Sequence, residues 1–236
     1  MKKKTEIAVF AVVIVVATVI SVLALKQYYS KDIDKKTDVK AYDTTPISEA
    51  YKTGETSSLK QYDKAIYDKA VEVLDMIITD GMTDYEKELA VHDYLTNNVS
   101  YDQQYLNVFY GHDADSETPY GALVKNKAIC TGYSTSFQMF MDMLDIPCKT
   151  VFGKTNNNSD HGWNMVKLEG DWYYVDVTWD DPIPETETSA MHKYLNATQK
   201  LLEDNRHIWD TTGLPKADST KYWYKTMTET SENEVK

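Results

Sequence analysis

The stretch Ala128-Ile129-Cys130-Thr131-Gly132-Tyr133-Ser134-Thr135-Ser136-Phe137 decides how the rest of this chain is read. It sets a thiol just ahead of Phe137, Phe140, Met141 and Leu144, apolar residues at the three- and four-residue steps of a helix. A cysteine at or just before the first turn of that helix meets unpaired backbone N–H groups and the positive end of the helix dipole. Both favour thiolate over thiol, and the thiolate is the nucleophile.

Working outward, Gly162 to Leu168 and Trp172 to Thr178 read as paired strands joined by Glu169-Gly170. A two-residue turn makes Leu168 face Asp171. Counting back along both strands then places His161 and Asp176 as diagonal neighbours on one face of the sheet. A turn one residue longer would put them on opposite faces. Cys130, His161 and Asp176 are the parts of a cysteine nucleophile site. The thiolate attacks a carbonyl, and His161 holds it as an ion pair and later protonates the leaving amine. Asp176 sets the tautomer and orientation of His161, with Asp180 as the alternative orienter.

Between these segments the pattern predicts helices first and antiparallel strands after, an α+β order. Tyr62, Ile66, Ala70, Val73, Leu74 and Ile77 mark one helical face ending at Gly81. Thr83-Asp84-Tyr85-Glu86 is a capping box that opens a second helix burying Leu89, Ala90, Val91, Tyr94 and Leu95. His92 within it reads as a hydrogen-bonded structural residue. Thr118-Pro119 starts a short helix over Tyr120–Lys125, and Ile146-Pro147 leads into a strand from Cys148 to Phe152.

The ends read differently. Lys2, Lys3 and Lys4 precede an apolar run from Ile7 to Leu25, broken only by Thr18 and Ser21. About 20 apolar residues suffice to span a bilayer as a helix. The run therefore reads as a signal-anchor over 7–25 behind a cytoplasmic segment 1–6. The alternative is a signal peptide cleaved after Val22-Leu23-Ala24. Either way the remainder is exported, to the cell membrane or beyond it. Residues 26–58, polar and interrupted by Pro46 and Gly54, read as a stalk; 59–225 as the folded domain; and 226–236 as a polar tail.

With 236 residues, 18 Tyr and 5 Trp, the chain can bury one sizeable core. A formal net charge of -12 argues against nucleic acid as a partner. There is no CxxC, no Cys/His cluster with zinc spacing and no glycine-rich phosphate loop, so no cofactor is expected. The acidic loop Gly111–Glu117 lacks the glycine and distal Glu of an EF-hand, and no metal is assigned to it. Cys130 and Cys148 are the two cysteines, and in an exported chain a disulfide between them is the bland alternative.

Cys130-Thr131-Gly132-Tyr133, His161-Gly162-Trp163-Asn164 and Tyr174-Val175-Asp176-Val177-Thr178-Trp179-Asp180 together resemble the transglutaminase-like superfamily in its microbial exported branch. Tyr101-Asp102, Tyr120-Gly121-Ala122-Leu123 and Ile146-Pro147-Cys148 extend the resemblance over Leu89 to Asp181. It implies a papain-like fold with Cys130 as nucleophile, His161 as base and acid, and Asp176 as orienter. Gly162 stands where the family often has Ala. Members of the family cross-link proteins, cleave peptides or hydrolyse amides, and some lack catalysis. The expectation is an extracytoplasmic cysteine enzyme acting on protein or peptide amide bonds, attached to the membrane by its N-terminal helix. The aromatic segments around Trp163, Trp172 and Trp179 could wall an acyl tunnel, with packing as the bland reading; a cysteine-peptidase-type hydrolase and a non-catalytic surface module binding through its aromatics are the alternatives.

Overall fold

A computed structural model describes residues 37, 39–106, 113–181 and 192–224, all within one unit spanning 36–236. The helices gather around α4 (Cys130–Met143), which is buried along almost its whole length. Phe137, Met139, Phe140 and Met141 are fully enclosed. The small hydroxyl residues of its first turns are enclosed too, because their side chains bond back along the helix. Thr135 Oγ1 donates to the Thr131 carbonyl and Ser136 Oγ to that of Gly132, both at 2.6 Å.

Three helices precede α4 in the chain. The first, α1 (Thr45–Thr53), corrects the reading of 26–58 as a stalk. Pro46 sits in its first turn, and Gly54 closes it at φ 75° with its N–H on the Ala50 carbonyl. A helix of nine residues is marginal alone, and it is held by Ile47 in the core and Tyr51 packed against it. Burying an Ile contributes roughly 2 kcal/mol. The folded part therefore begins before Leu59. Next, α2 (Gln61–Ile77) buries the predicted stripe of Ile66, Ala70, Val73 and Leu74. It stops at Ile77, four residues before Gly81, which turns the chain at φ 89°. The predicted capping box opens α3 (Asp84–Asn98). Thr83 N–H donates to Glu86 Oε2 at 2.7 Å and Glu86 N–H to Thr83 Oγ1 at 3.3 Å.

Two short strands, β1 (Ser100–Tyr101) and β2 (Lys127–Ala128), pair in parallel just before α4. Between them, the predicted short helix forms over Tyr120–Val124 as one wide π-type turn, closed by Lys125 N–H on the Tyr120 carbonyl at 3.2 Å.

The main sheet is antiparallel. It comprises β3 (Cys148–Thr155), β4 (Asp160–Leu168), β5 (Asp171–Val175) and β6 (His207–Ile208), in the order β5-β4-β3-β6. Leu168 pairs with Asp171 and Asn164 with Val175, so the two-residue turn and its register are as the sequence predicts. Glu169 at φ 48° and Gly170 at φ 99° give the turn the twist that suits a tight hairpin. Alternation divides the sheet between two cores. Val166, Leu168, Tyr173 and Val175 face the helices. Trp163, Met165 and Tyr174 meet Tyr194, Leu202 of α6 (Gln199–Asp204), and Trp209 on the other side.

One strand is shorter than expected. β5 stops at Val175 because Asp176 caps a short helix, α5 (Val177–Asp180), its carboxylate accepting from the Trp179 N–H at 3.1 Å. The run Ile7–Leu25, the residues Gly111 and His112, and the tail 226–236 lie outside the described residues. Among the described residues no helix is long and apolar enough to cross a membrane.

Candidate active site

Cys130 is the first residue of α4, and Ile129 before it is extended, with no side chain capping the helix. The opening N–H groups of the helix thus have no acceptor one turn back and no cap, which favours an anion at this end. The approach to Cys130 is braced. Ile129 N–H donates to the Ser116 carbonyl at 2.9 Å, and Ser116 Oγ donates to the buried Asp102 carboxylate at 2.7 Å. Gly132 lets α4 press on this support. A methyl there would lie 2.4 Å from the Ser116 carbonyl oxygen and 2.8 Å from Ala128 Cβ.

His161 enters from β4, opposite Gly153 of β3. Asn164, on the same strand, donates to the Ser134 carbonyl at 2.9 Å and so ties β4 to the cysteine helix. His161 Nε2 lies 2.7 Å from Asp176 Oδ2. Its other ring nitrogen is left for Cys130, whose side chain is its second partner. Burial opposes charge on the ring, but the Asp176 carboxylate and the Cys130 sulfur favour it more, and His161 is lifted to about 10. Burial alone would push Asp176 up. The imidazoles of His161 and His207 outweigh it and hold the carboxyl well below its ordinary range.

The predicted trio is therefore assembled in one place, with the order Cys130, His161, Asp176. Asp180 is not its orienter. That carboxylate accepts from the Tyr194 N–H at 3.0 Å and bonds His92 Nε2 at 3.2 Å, which also gives His92 its structural role. Cys130 and Cys148 are both free thiols, so the disulfide alternative is overturned. Cys148 lies at the start of β3, where burial pushes its thiol well above the ordinary value. Gly162 leaves room for the Phe152 ring, whose nearest atom would be 2.8 Å from an added methyl.

Two clefts of about 280 Å³ each flank Cys130 and His161. One is bounded by Lys40, Glu117, Ile129 and Asp160, and the other by Tyr101, Thr155, Asn157, Trp179 and Arg206. Of the three tryptophans expected as possible walls, Trp179 lines a cleft, its ring 5.3 Å from that of His161. Trp163 is core, packed edge-on against Trp209 at 5.4 Å. Trp172 lies beneath the Lys149 ammonium, 5.4 Å from the ring centre.

One residue of the site has no sequence signal. His207, from β6, is buried and places Nε2 2.8 Å from the same Asp176 Oδ2 that bonds His161. It stands alone in a segment without periodicity, and only the long-range pairing of Thr155 with His207 brings it to the site. Among the described residues, His161, Asp176 and His207 form one group that could gather around a metal, and His92, Asp93 and His192 form another. In each, the histidine and carboxylate atoms already bond one another.

Residues 71–177 match the family model described as the transglutaminase-like superfamily. The kyphoscoliosis peptidases of Homo sapiens and Mus musculus are 29% and 28% identical over 129 residues, which are 50% of this chain and 19% of each relative. The chain thus matches about a fifth of the length of these curated relatives. Among solved structures, a crystal structure of a TGase aligns with a TM-score of 0.43 and 20% identity, over 60% of this chain and 39% of its own. LapG of Legionella pneumophila aligns with a TM-score of 0.37 and 10% identity, over 81% of this chain and 99% of its own. The stretch matched by the transglutaminase-like superfamily model, residues 71–177, is the one that carries Cys130, His161 and Asp176, and over it the chain is similar to that superfamily.

Proposed function

We propose that the chain is a cysteine-nucleophile enzyme that acts on protein or peptide amide bonds through a thioester on Cys130. The observation that carries this reading is the His161 ring, bonded to Asp176 at 2.7 Å on one side and partnered by Cys130 on the other. The Cys130 thiolate attacks the amide carbonyl, a C–S bond forms, and the carbonyl electrons move onto oxygen. The Cys130 N–H at the start of α4 is positioned as one donor to that oxyanion. Collapse breaks the C–N bond, and the His161 imidazolium delivers its proton to the leaving amine. Water or a second amine then attacks the thioester while His161 takes its proton, and the thiolate departs. Asp176 holds the imidazole in place throughout without itself being protonated.

Water as the second reactant gives hydrolysis, and a lysine amine gives cross-linking. The peptidase name of the curated relatives favours hydrolysis. We also read the domain as exported and tethered through 7–25, on the strength of the Lys-rich start and the apolar run behind it. The test of the chemistry is to mix the enzyme with a complex peptide pool, quench in acid and weigh the Cys130 peptide. An acyl adduct that disappears in Cys130→Ala is expected. Absence of any adduct, together with no release of nitrophenol from p-nitrophenyl acetate, would overturn the reading.

A further inference from the structure

His207 opens β6 at the sheet edge, opposite Thr155, with 2% of its surface exposed. Its Nε2 and that of His161 lie 2.8 and 2.7 Å from a single oxygen, Asp176 Oδ2. An ionised carboxylate only accepts, so each of those nitrogens carries the proton of its bond. The other nitrogen of His207, Nδ1, is buried with no hydrogen-bond partner among the described residues. An orphaned buried nitrogen works against stability. The surroundings would suit an apolar ring better, since the rings of Trp179, Trp163 and Tyr194 centre 4.3, 5.0 and 5.6 Å away. What an apolar ring could not do is donate to Asp176.

We propose that His207 is a positioning residue for the Cys130–His161 pair, fixing Asp176 Oδ2 and dividing that oxygen's charge between two imidazoles. The inference rests on the reading of Cys130 and His161 as the reacting pair. Asp176 Oδ1 is already fixed by the Trp179 N–H at 3.1 Å, so the His207 bond completes the orientation of the carboxylate plane. Sharing also moderates Asp176. An oxygen that gives all its charge to His161 would hold the imidazolium proton harder and release it less readily to a leaving amine. The titratable groups that face His207 are Asp176, the His161 ring 5.6 Å away and the Tyr194 phenol, its ring also 5.6 Å away; its other ring neighbours, Trp163 and Trp179, do not titrate.

The test follows iodoacetamide alkylation of Cys130 against pH in the unsubstituted protein, His207→Phe, His207→Gln and His161→Ala. In His207→Phe the upper limb, where His161 loses its proton, should move to higher pH by about half a unit or more. His207→Gln, whose amide N–H can again reach Oδ2, should restore most of the unsubstituted profile. A folded His207→Phe protein with an unmoved limb overturns the proposal. A profile that also ignores His161→Ala overturns the reacting-pair reading instead, so the two failures are distinct. If the His207 variants do not fold, nitrogen-15 histidine spectra of the unsubstituted protein decide. The His207 Nε2–H signal should shift as His161 titrates, and a signal that stays constant through that titration overturns the proposal.

Discussion

Asp176 lies one residue and His161 three residues beyond the last paired residues of their hairpin, yet His161 Nε2 is 2.7 Å from Asp176 Oδ2. The ladder ends at Asn164–Val175, and the chain turns into α5 at Asp176. That turn aims the carboxylate across the face of the sheet, and the same residue caps the helix it begins. Asp176→Asn should keep the cap, because an amide oxygen also accepts the Trp179 N–H. It removes the charge that holds His161 protonated. Acylation of Cys130 by p-nitrophenyl acetate should fall by about 10² to 10⁴ with circular dichroism unchanged. A rate within twofold of the parent would mean that another group orients His161.

The hairpin was legible because its turn residues and alternation are local, and register follows from them. The cysteine helix was legible for the same reason. By contrast, α1 offers only Ile47, Ala50 and Tyr51 in a polar stretch, and its order comes from packing against a core assembled elsewhere. The Pro46 and Gly54 that bound it were a readable signal of a start and a stop. The end of β5 was readable too, since Asp176 is a strong cap followed by a helix-competent turn. His207 had no comparable signal. Its place depends on β6 pairing with the far end of β3, a contact that no local pattern announces.

Gly132 is predicted to be irreplaceable for packing rather than for backbone conformation. The contacts a methyl would make are with the Ser116 carbonyl and Ala128 Cβ, which the helix cannot swing away from without moving Cys130. Gly132→Ala should cost roughly 1–3 kcal/mol in denaturant unfolding, the usual range for overpacking. In the folded fraction, Cys130 alkylation should slow as its helix start shifts. Unchanged stability would show that the Ser116 segment yields freely.

Exported topology predicts that protease added to intact cells removes the domain that follows residue 26. Protection until lysis would overturn the tethered reading. A mature N-terminus at Leu25 would replace the anchor with a cleaved leader.

The two thiols should separate in reactivity. Cys130 partners His161 at a helix start, whereas burial raises Cys148 well above an ordinary thiol. Iodoacetamide at pH 6–7 should label Cys130 at least about tenfold faster, and His161→Ala should slow Cys130 while leaving Cys148 unchanged. Equal, slow labelling that ignores His161 would favour a binding module over an enzyme.

Glu88 supplies the last prediction, away from the site. It is wholly buried on α3, and Asn196 Nδ2 donates to its Oε2 at 2.8 Å. Its Oε1 and the Asn196 Oδ1 are both buried acceptors without a donor among the described residues. Protonating the carboxyl supplies the missing donor, and burial pushes Glu88 up to about 8. The sign is opposite to that of a salt-bridged acid. The unfolded chain releases this proton near its model value of 4.5 and the folded chain only near 8, so the folded state holds more protons between those values. Stability from this group is therefore full below about 4.5 and declines as pH rises toward 8. Glu88→Gln keeps a donor and never ionises. It should be nearly neutral at pH 4.5 and stabilising by on the order of 4 kcal/mol at pH 8, read from urea midpoints at the two pH values. A variant whose advantage is the same at both pH values would show that Glu88 is ionised in the folded protein at both.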